Sequence, residues 1–349
     1  MPKKVILFAP NVHIGGGFVL LKLLLSAWPA GQPLYAVLDA RAQAALEMPE
    51  NITVLQWVKP SVLARARAEL VLRNASAEGD DVLCFHGLPP LLRNAARVVV
   101  FLQNRLYFGL TPLSIFSLRT ALRLAVELRW SRYLRFRVTE YLVQTPTMKR
   151  DLIRWFTLGH PGAPRPQVSV LPFMAPVEPG NGGLETGDEW DFVYVSSGDA
   201  HKNHRRLIDA WCELAQQGIR PRLALTLNPL DDALLRHVDV MRAEFGVEIH
   251  NLGQLPHSQV LGLYRHAKAL IFPSLTESFG LPLLEAQQLG LPILASELDY
   301  VRDVCEPVQT FDPQSAQSIA RAVQRFLKLP EPQVAMHTAT DVWGVLSQI

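Results

Sequence analysis

The stretch KALIFPSLTESFGLPLLEA, residues 268–286, joins an apolar run to a polar loop and a short helical segment. Residues 268–274 are nearly all apolar, which is typical of a central strand in a parallel sheet. Gly280 permits a close backbone approach, Pro282 suits a first helical turn, and Gly290 suits the position after a helix. The stretch therefore predicts a strand, a loop at its carboxyl end and a helix of about eight residues.

Similar β-rich segments recur along the whole chain and alternate with helical patterns. This alternation is typical of parallel sheets covered by helices on both faces. The first half has candidate strands at 4–9, 34–39, 52–57, 81–85, 97–102, 140–145 and 168–173. The second half has candidate strands at 191–196, 222–227, 247–252, 268–274, 291–296 and 308–311. The pattern predicts two doubly wound α/β domains in tandem.

Between the two sets of strands lies EPGNGGLETGDEW, residues 178–190, which is rich in glycine and acids and lacks periodicity. Such a composition is typical of a linker. We therefore expect a first domain over 1–175, a linker over 176–190 and a second domain over 191–330. Residues 331–349 are expected to form a helix that can cross back onto the first domain. Ligands of doubly wound domains bind outside the carboxyl ends of the strands, so we expect the site in the cleft between the domains.

Charge is distributed unevenly along the chain. Residues 1–172 contain 21 Lys and Arg against 10 Asp and Glu, a net charge of +11. The remaining 13 basic and 22 acidic residues give residues 173–349 a net charge of −9. A basic half joined to an acidic half indicates two domains with different partners.

Bulk composition excludes several other classes of protein. The 349 residues are 49% apolar and 19% charged, enough for large cores and unlike a disordered chain. Cys84, Cys212 and Cys305 match no metal-binding spacing, so we expect reduced core residues of a cytosolic protein. The first apolar run ends at Pro10, so we expect neither a signal peptide nor a transmembrane helix.

Two acidic residues, Glu277 and Glu285, belong to the predicted loop and to the predicted helix. The free backbone N–H groups of residues 279–283, at the start of that helix, can hold an anion. Carboxylates repel phosphate but accept hydrogen bonds from hydroxyls, so a ligand with sugar hydroxyls on both sides of a diphosphate fits: a nucleotide-sugar. Alternatively, Glu285 is an ordinary acid near a helix N-terminus and Glu277 is a solvated loop residue.

The segment TESFGLPLLEAQQLGLPILAS resembles the Glu-x7-Glu signature of the retaining GT-B glycosyltransferases called group 1, of the bacterial polysaccharide and lipopolysaccharide type. Flanking segments over about 190–325 follow the family's order. The resemblance implies the GT-B fold, in which two Rossmann-like domains, one for the acceptor and then one for the donor, face a central cleft. It also implies that Glu277 contacts the transferred sugar and that Glu285 binds the ribose hydroxyls. The resemblance further implies that the backbone amides of Ser278, Phe279, Gly280 and Leu281 contact the sugar and the phosphates.

A second segment, VSSGDAHKNHRRLIDAW at 195–211, begins where the first strand of the second domain is expected to end. Asn203 suits the N-cap of the following helix, and Lys202 places a mobile positive charge before it. The HKN triplet resembles the family's diphosphate-binding segment, which implies that Lys202, together with Asn203, binds the donor diphosphate. The alternative is an ordinary surface lysine. Many relatives have Gly-Asn or Gly-Arg where this chain has Ser196 and Ser197.

Residues 10–25, PNVHIGGGFVLLKLLL, place Gly15, Gly16 and Gly17 between a strand and an apolar helix. Glycines there can expose backbone N–H groups to the donor phosphates or to the acceptor. The family also has a glycine loop at this place, so the three glycines are candidate donor-binding residues. His13 is either a bystander or an acceptor contact.

His86 follows the fourth candidate strand and is expected at the edge of the cleft. It is a candidate catalytic residue together with Glu277 and Lys202, although a packing role fits it equally well. Many relatives have a histidine after the next strand, where this chain has Gln103 and Asn104. In the front-face mechanism that the resemblance implies, the leaving phosphate takes the acceptor proton, and the protein supplies positioning and charge stabilisation.

The segment 114–142 carries six arginines against two glutamates, with large apolar and aromatic residues at helical spacing. Such a helix can lie on an anionic membrane; alternatively, it packs on the core and leaves a solvated basic face. Nucleic acid is not expected, because no nucleic-acid module accompanies the charge. A membrane-bound acceptor, such as a polyprenyl-diphosphate-linked glycan or lipopolysaccharide, would explain this segment and the basic half together.

These features predict a retaining glycosyltransferase that moves a sugar from a nucleoside-diphosphate sugar to a glycan or lipid-linked acceptor in cell-envelope polysaccharide synthesis. The resemblance implies no metal or other cofactor, because lysine, backbone amides and the helix dipole neutralise the leaving diphosphate. We expect the protein in the cytoplasm, with peripheral contact on the plasma membrane. Two alternatives stay open: a non-catalytic nucleotide-sugar-binding protein of the same fold, and a GT-B nucleotide-sugar epimerase, which the segment 276–286 disfavours.

Overall fold

The structure, a computed structural model, describes residues 3–158, 167–174 and 189–330. Their strands form two sheets in which every pair of neighbours is parallel. The first sheet, in the order β3-β2-β1-β4-β5-β6-β7, contains β1 (Val5–Ala9), β2 (Leu34–Asp39), β3 (Ile52–Val58), β4 (Asp81–Cys84), β5 (Arg97–Phe101), β6 (Glu140–Val143) and β7 (Gln167–Val170).

The second sheet has the same arrangement around its own first strand. Its order is β10-β9-β8-β11-β12-β13. Its strands are β8 (Trp190–Tyr194), β9 (Leu223–Leu225), β10 (Ile249–Asn251), β11 (Ala267–Phe272), β12 (Ile293–Ser296) and β13 (Gln309–Phe311). In each sheet the strand order reverses beside the first strand, so β1 with β4, and β8 with β11, border a crevice at their carboxyl ends.

Helices connect the strands and cover both faces of each sheet. In the first half these are α1 (Gly15–Ser26), α2 (Val62–Ala75), α3 (Leu118–Leu134) and α4 (Pro146–Thr157). In the second half they are α5 (His204–Gln216), α6 (Asp232–Phe245), α7 (His257–Arg265), α8 (Leu281–Gln288), α9 (Asp299–Arg302) and α10 (Ala316–Phe326). No helix within the described ranges combines the length and the apolarity that crossing a membrane requires.

The core of the first sheet lies on both of its faces. Ile6 and Phe8 of β1 pack into one buried cluster, whereas Leu7 and Ala9 pack into another, because successive side chains of a strand point to opposite faces. The second sheet has a single buried cluster that includes Trp211 of α5. The near-continuous apolar runs in the sequence follow from this burial on both faces.

The strand predictions are confirmed, because each of the candidate segments overlaps an observed strand. Several boundaries differ by one or more residues, and Trp190, the last residue of the expected linker, begins β8. The rest of the expected linker lies outside the described residues, apart from Glu189, as does the expected helix over 331–349. The three cysteines are buried and free, as expected.

Candidate active site

The start of α1 and the start of α8 meet across a cleft between the two sheets. A β-carbon on Gly16 would lie 3.0 Å from Cδ1 of Leu281, and one on Gly17 would lie 2.8 Å from Oε1 of Gln103. The lack of side chains at Gly16 and Gly17 therefore allows α1 to approach both the second half of the chain and the end of β5.

The cleft encloses a cavity of about 820 Å³, a size typical of small-molecule sites. Most of the residues singled out from the sequence line it: Gly15, Gly16, Gly17, Lys202, Glu277, Ser278, Phe279, Gly280, Leu281 and Glu285. His86 and Asn203 are not among the described residues that line it. The cavity thus brings together segments nearly three hundred residues apart in the chain.

Lys202 and Glu277 form an ion pair in the cleft. Nζ of Lys202 donates to Oε1 of Glu277 at 2.6 Å, and the two side chains are only 18% and 11% exposed. Little water reaches the pair, so each charge acts on its neighbours more strongly than it would at the surface. The pair holds a positive charge and a carboxylate side by side, just beyond the carboxyl ends of β8 and β11.

Glu285, on the second turn of α8, is buried and has a partner on each carboxylate oxygen. Nε2 of His257 donates to Oε1 at 2.8 Å, and the Tyr264 hydroxyl donates to Oε2 at 3.3 Å. The hydrogen bond to Glu285 raises the pKa of His257, and burial, followed by the charge of Glu285, raises that of Tyr264. His257 and Tyr264 are seven residues apart, two turns of α7, so the sequence contained a signal for their shared face.

The first turn of α8 exposes backbone donors to the cavity. Gly280 precedes the helix with φ of 74°, a conformation that favours glycine. The N–H groups of Phe279 and Leu281 have no acceptor among the described residues, whereas that of Leu283 donates to the Gly280 carbonyl at 2.9 Å. The anion-holding donors therefore end before Leu283, contrary to the expectation from sequence.

Residues 182–342 match the family model described as glycosyl transferases, group 1. The match covers 161 of the 349 residues, so most of the second half of the chain is similar to a group 1 glycosyltransferase domain. The serotype-specific mannosyltransferase WbdA of Escherichia coli is 27% identical over 159 residues, which are 44% of this chain and 19% of WbdA. The O-antigen chain mannosyltransferase B of Escherichia coli is 29% identical over 141 residues, 39% of this chain and 36% of that protein. The chain therefore matches well under half the length of either relative.

The fold extends this similarity over both halves. The crystal structure of Anabaena HepE in complex with UDP and glucose aligns with a TM-score of 0.64 at 16% identity. The alignment covers 93% of this chain and 90% of HepE. At such low identity the alignment establishes the fold alone: the protein has the GT-B fold, with two Rossmann-like domains that face a central cleft, as the sequence predicts.

Side chains at the cleft also connect the second domain to the first domain. The Ser278 hydroxyl donates to the Gln103 carbonyl, and Nη1 of Arg105 donates to the Thr276 hydroxyl at 3.4 Å. Gln103 lines the cavity and donates through Nε2 to the Phe85 carbonyl at 2.8 Å. Ser278 and Gln103 therefore help to fix the spacing of the two domains.

Asn203 stands at the N-cap position of α5, as expected, but its side chain does not cap the helix. Its backbone is left-handed, with φ of 64°. Nδ2 donates to the carbonyls of Pro273 at 3.1 Å and Pro313 at 2.7 Å. The expected contact of Asn203 with the donor is thus not supported, because its amide is engaged within the second domain and Asn203 is not among the described residues that line the cavity.

His86 does not lie at the cleft edge, contrary to the prediction. Its Nδ1 lies 3.3 Å from the Phe8 carbonyl, and its Nε2 lies 2.8 Å from Nη2 of Arg65. A guanidinium only donates, so Nε2 accepts and Nδ1 donates. Burial and then the charge of Arg65 hold the pKa of His86 well below its usual range. The lone pair of His86 is engaged by Arg65, and His86 is not among the described residues that line the cavity, which favours the packing role over the catalytic one.

Metal-ligating side chains do not converge in this cleft. Within residues 3–158, 167–174 and 189–330, no three His, Cys, Asp or Glu side chains are placed to hold a metal ion together. The positive groups that line the cavity are Lys202, the exposed helix N-termini and Lys22 of α1. That the reaction needs no metal stays a prediction.

Proposed function

We propose that this protein is a retaining glycosyltransferase that moves a sugar from a nucleoside-diphosphate sugar to a hydroxyl of a glycan or lipid-linked acceptor. One observation carries the proposal: Lys202, Glu277 and Glu285 line a single cleft together with the N-termini of α1 and α8. Carboxylates suit sugar hydroxyls, and lysine and helix N-termini suit phosphates. A nucleotide-sugar is the common ligand class that needs both kinds of group at this spacing.

In the proposed complex, the ribose hydroxyls take over the Glu285 carboxylate from His257 and Tyr264. The diphosphate lies against Lys202 and the free N–H groups at the start of α8, and the transferred sugar lies beside Glu277. The bond between the anomeric carbon and the diphosphate breaks, and the acceptor oxygen bonds to that carbon on the same face. The acceptor proton passes to the leaving phosphate oxygen. Positive groups stabilise the charge that develops on the diphosphate, so no metal is required.

The names of the similar proteins suggest a pathway. Two of them are a mannosyltransferase and an O-antigen chain mannosyltransferase, and HepE was crystallised with UDP and glucose. We therefore place this protein in cell-envelope polysaccharide synthesis, in the cytoplasm, where nucleotide-sugars are made.

The exposed face of α3 favours a membrane-bound acceptor. Leu118, Leu122 and Val126 are 87%, 67% and 58% exposed, and their spacing of four places them on one side of the helix. Four of the six arginines of segment 114–142 are also exposed: Arg119, Arg123, Arg129 and Arg132. We propose that this surface, apolar and basic at once, rests on a membrane that contains anionic lipid.

The remaining two arginines of that segment have structural roles instead. Arg135 is 1% exposed and lies over the rings of Phe136, Trp155 and Phe156. Arg137 donates to the carbonyls of Pro90 and Leu91. The membrane proposal therefore depends on four arginines rather than six.

Donor binding is tested by a thermal-shift panel of UDP-, GDP- and other nucleoside-diphosphate sugars. We expect one base to stabilise the wild type, and Glu285→Ala and Lys202→Ala to abolish the shift. Lys268→Ala is the matched control, because Lys268 pairs with Asp191 at an exposed site away from the cavity. A wild type that no nucleotide stabilises would refute the proposal, and binding without turnover would indicate a non-catalytic protein. The anomeric configuration of the product, measured by NMR, tests retention.

Membrane contact is tested by sedimentation with vesicles of phosphatidylcholine, with and without phosphatidylglycerol. We expect retention on the anionic vesicles at low salt, lost in Leu118→Asp/Leu122→Asp and weakened in Arg119→Glu/Arg123→Glu. The control is Leu230→Asp, which changes an equally exposed leucine in the second half. Wild-type protein that stays in the supernatant at low salt would rule out the membrane surface.

A further inference from the structure

His13 is a cleft residue that the donor arrangement leaves unused. It lies in the turn between β1 and α1 and lines the cavity. Its Nδ1 is buried and has no hydrogen-bond partner among the described residues, and the nearest carboxylate oxygen, Oδ2 of Asp39, is 3.7 Å away. Asp39 ends β2, the neighbour of β1, and is 1% exposed. A buried polar atom that faces a buried carboxylate indicates a built site rather than a chance contact.

Arg41 fixes the Asp39 carboxylate from its other side. Nε of Arg41 donates to Oδ1 at 3.0 Å and Nη2 donates to Oδ2 at 2.7 Å, which is the rigid two-pronged geometry of such pairs. Nη2 also donates to Oδ1 of Asn11 at 3.1 Å. The guanidinium therefore ties the end of β2 to the turn that carries His13. Burial opposes ionisation of Asp39, but the hydrogen bonds from Arg41 outweigh it and lower the pKa of Asp39.

The charged groups that act on His13 are Arg41 and Asp39. Burial, followed by the charge of Arg41, lowers the pKa of His13 against the opposing charge of Asp39. The ring is therefore neutral at pH 7, with one N–H and one lone pair. Because a carboxylate faces Nδ1, the proton is favoured on that nitrogen, and Nε2 keeps the lone pair.

We propose that His13 is an acceptor-positioning residue, whose Nε2 accepts a hydrogen bond from a hydroxyl of a sugar acceptor next to the hydroxyl that attacks. Asp39 keeps the ring in the required tautomer, and the pair thereby forms part of an acceptor subsite on the wall of the first domain. This inference rests on the proposed glycosyltransferase function. Lys202, Glu277 and Glu285 all come from the second domain, and the first domain contributes only the N-terminus of α1 to the proposed donor site. The side chains of the opposite wall are therefore left to the second substrate.

Kinetics on His13→Ala and His13→Gln test the inference, with the full chain and methyl glycosides of mannose and glucose as acceptor probes. His13→Ala should raise the acceptor KM about tenfold, the usual loss for one uncharged hydrogen bond, and leave the nucleotide-induced thermal shift unchanged. Oε1 of glutamine can replace Nε2 without titrating, so His13→Gln should restore most of the affinity. The control is His250→Ala, a histidine of β10 that does not line the cavity.

The pH profile separates this role from a merely structural one. Protonation removes the lone pair on Nε2, so the wild-type acceptor KM should rise as the pH falls below the usual histidine pKa of about 6.5 and through the lowered pKa of His13, whereas that of His13→Gln should stay flat. An unchanged acceptor KM in His13→Ala, with donor turnover intact, would overturn the inference and leave the proposed function standing. If the wild type binds no nucleotide, the proposed function itself would be refuted.

A second measurement needs no acceptor. In ¹⁵N-histidine NMR spectra of the full chain, the signal that is lost in His13→Gln identifies His13. We expect a neutral ring protonated on Nδ1 at pH 7. A charged ring, or a neutral ring protonated on Nε2, would overturn the inference whatever the kinetics.

Discussion

The two walls of the cleft are built from different kinds of group. On the wall of the second domain, the carboxylates already have partners: Glu285 holds His257 and Tyr264, and Glu277 holds Lys202. On the wall of the first domain, glycine backbone at the start of α1 makes the close approach. Two titratable side chains of the described residues line the cavity there, Lys22 and His13, and His13 has an unpaired nitrogen.

The two walls therefore differ in the kind of groups that they offer to a ligand. The second wall keeps its charges oriented by exchangeable partners, so binding replaces one hydrogen bond by another and little reorganisation is needed. The first wall offers space, backbone donors, the Lys22 ammonium group and the proposed lone pair of His13. We infer that the second wall is organised around one fixed ligand type, whereas the first is suited to a partner that arrives afterwards. The following experiments break or sharpen that contrast.

The largest effect is expected from Lys202→Met, which removes the positive charge of the second wall. Turnover should fall about 10²–10³-fold, as on removal of one donor to a developing anion. Glu277 would also be left buried without its partner, so the free energy of unfolding should fall by about 1–3 kcal/mol. Steady-state kinetics and urea unfolding measure the two effects. Lys268→Met serves as the exposed control, and turnover within tenfold of wild type would disprove the role of Lys202.

Glu285→Gln should produce the next largest effect. The variant keeps the shape of the side chain but loses a charged acceptor, so nucleotide affinity should drop about tenfold to a hundredfold. Isothermal titration with UDP and GDP measures it. Tyr264→Phe removes only one of the hydrogen-bond partners of Glu285, so its loss of nucleotide affinity should be smaller. Unchanged nucleotide affinity in Glu285→Gln would mean that the second wall does not hold the ribose.

Gly17→Ala tests the close approach on the first wall. The new methyl group would lie 2.8 Å from Oε1 of Gln103, so the amide must rotate and give up its bond to the Phe85 carbonyl. We expect a loss of about 1 kcal/mol in the free energy of unfolding and a turnover reduced about threefold to tenfold. Gln103→Ala loses the same hydrogen bond, so the stability lost in the double variant should be smaller than the sum of the two single losses. A loss equal to that sum would contradict the proposed clash with Gln103.

The smallest effect is a pH dependence of stability through His257. Glu285 raises the pKa of His257. The pair therefore stabilises the fold fully at pH values below the pKa of histidine in the unfolded chain, about 6.5. That contribution is lost as the pH rises through the raised pKa. The side chain is 45% exposed, so the melting temperature should change by only about 1 °C. Thermal melts of wild type and His257→Gln should converge at alkaline pH, and a constant difference would exclude the linkage.

The sequence was most informative where a local pattern decides the structure. Apolar runs located the strands, and Gly280, Pro282 and Gly290 predicted a helix of the observed length, because turn and cap preferences act over a few residues. The family resemblance predicted that Lys202 and Glu277 contact the same ligand, and both residues line the cavity.

Other features depend on contacts that no short pattern encodes. His86 follows the expected strand but faces Arg65, a residue of α2, so its distance from the cleft is a property of helix packing. Asn203 is at the expected helix start, yet its side-chain amide donates to carbonyls that lie 70 and 110 residues further along the chain. His257 was overlooked because its partner lies on another helix, although its spacing from Tyr264 was visible in the sequence.

Asn203 also illustrates how little freedom a single position can have during evolution. Its left-handed backbone favours glycine, asparagine or aspartate, and its side chain must donate to two carbonyls. Glycine offers no donor, and aspartate would turn a carboxylate toward both oxygens. One base change in an asparagine codon, or spontaneous deamidation as the protein ages, makes that aspartate. Either event would loosen the loop that presents Lys202 while leaving Lys202, Glu277 and Glu285 unchanged in the sequence.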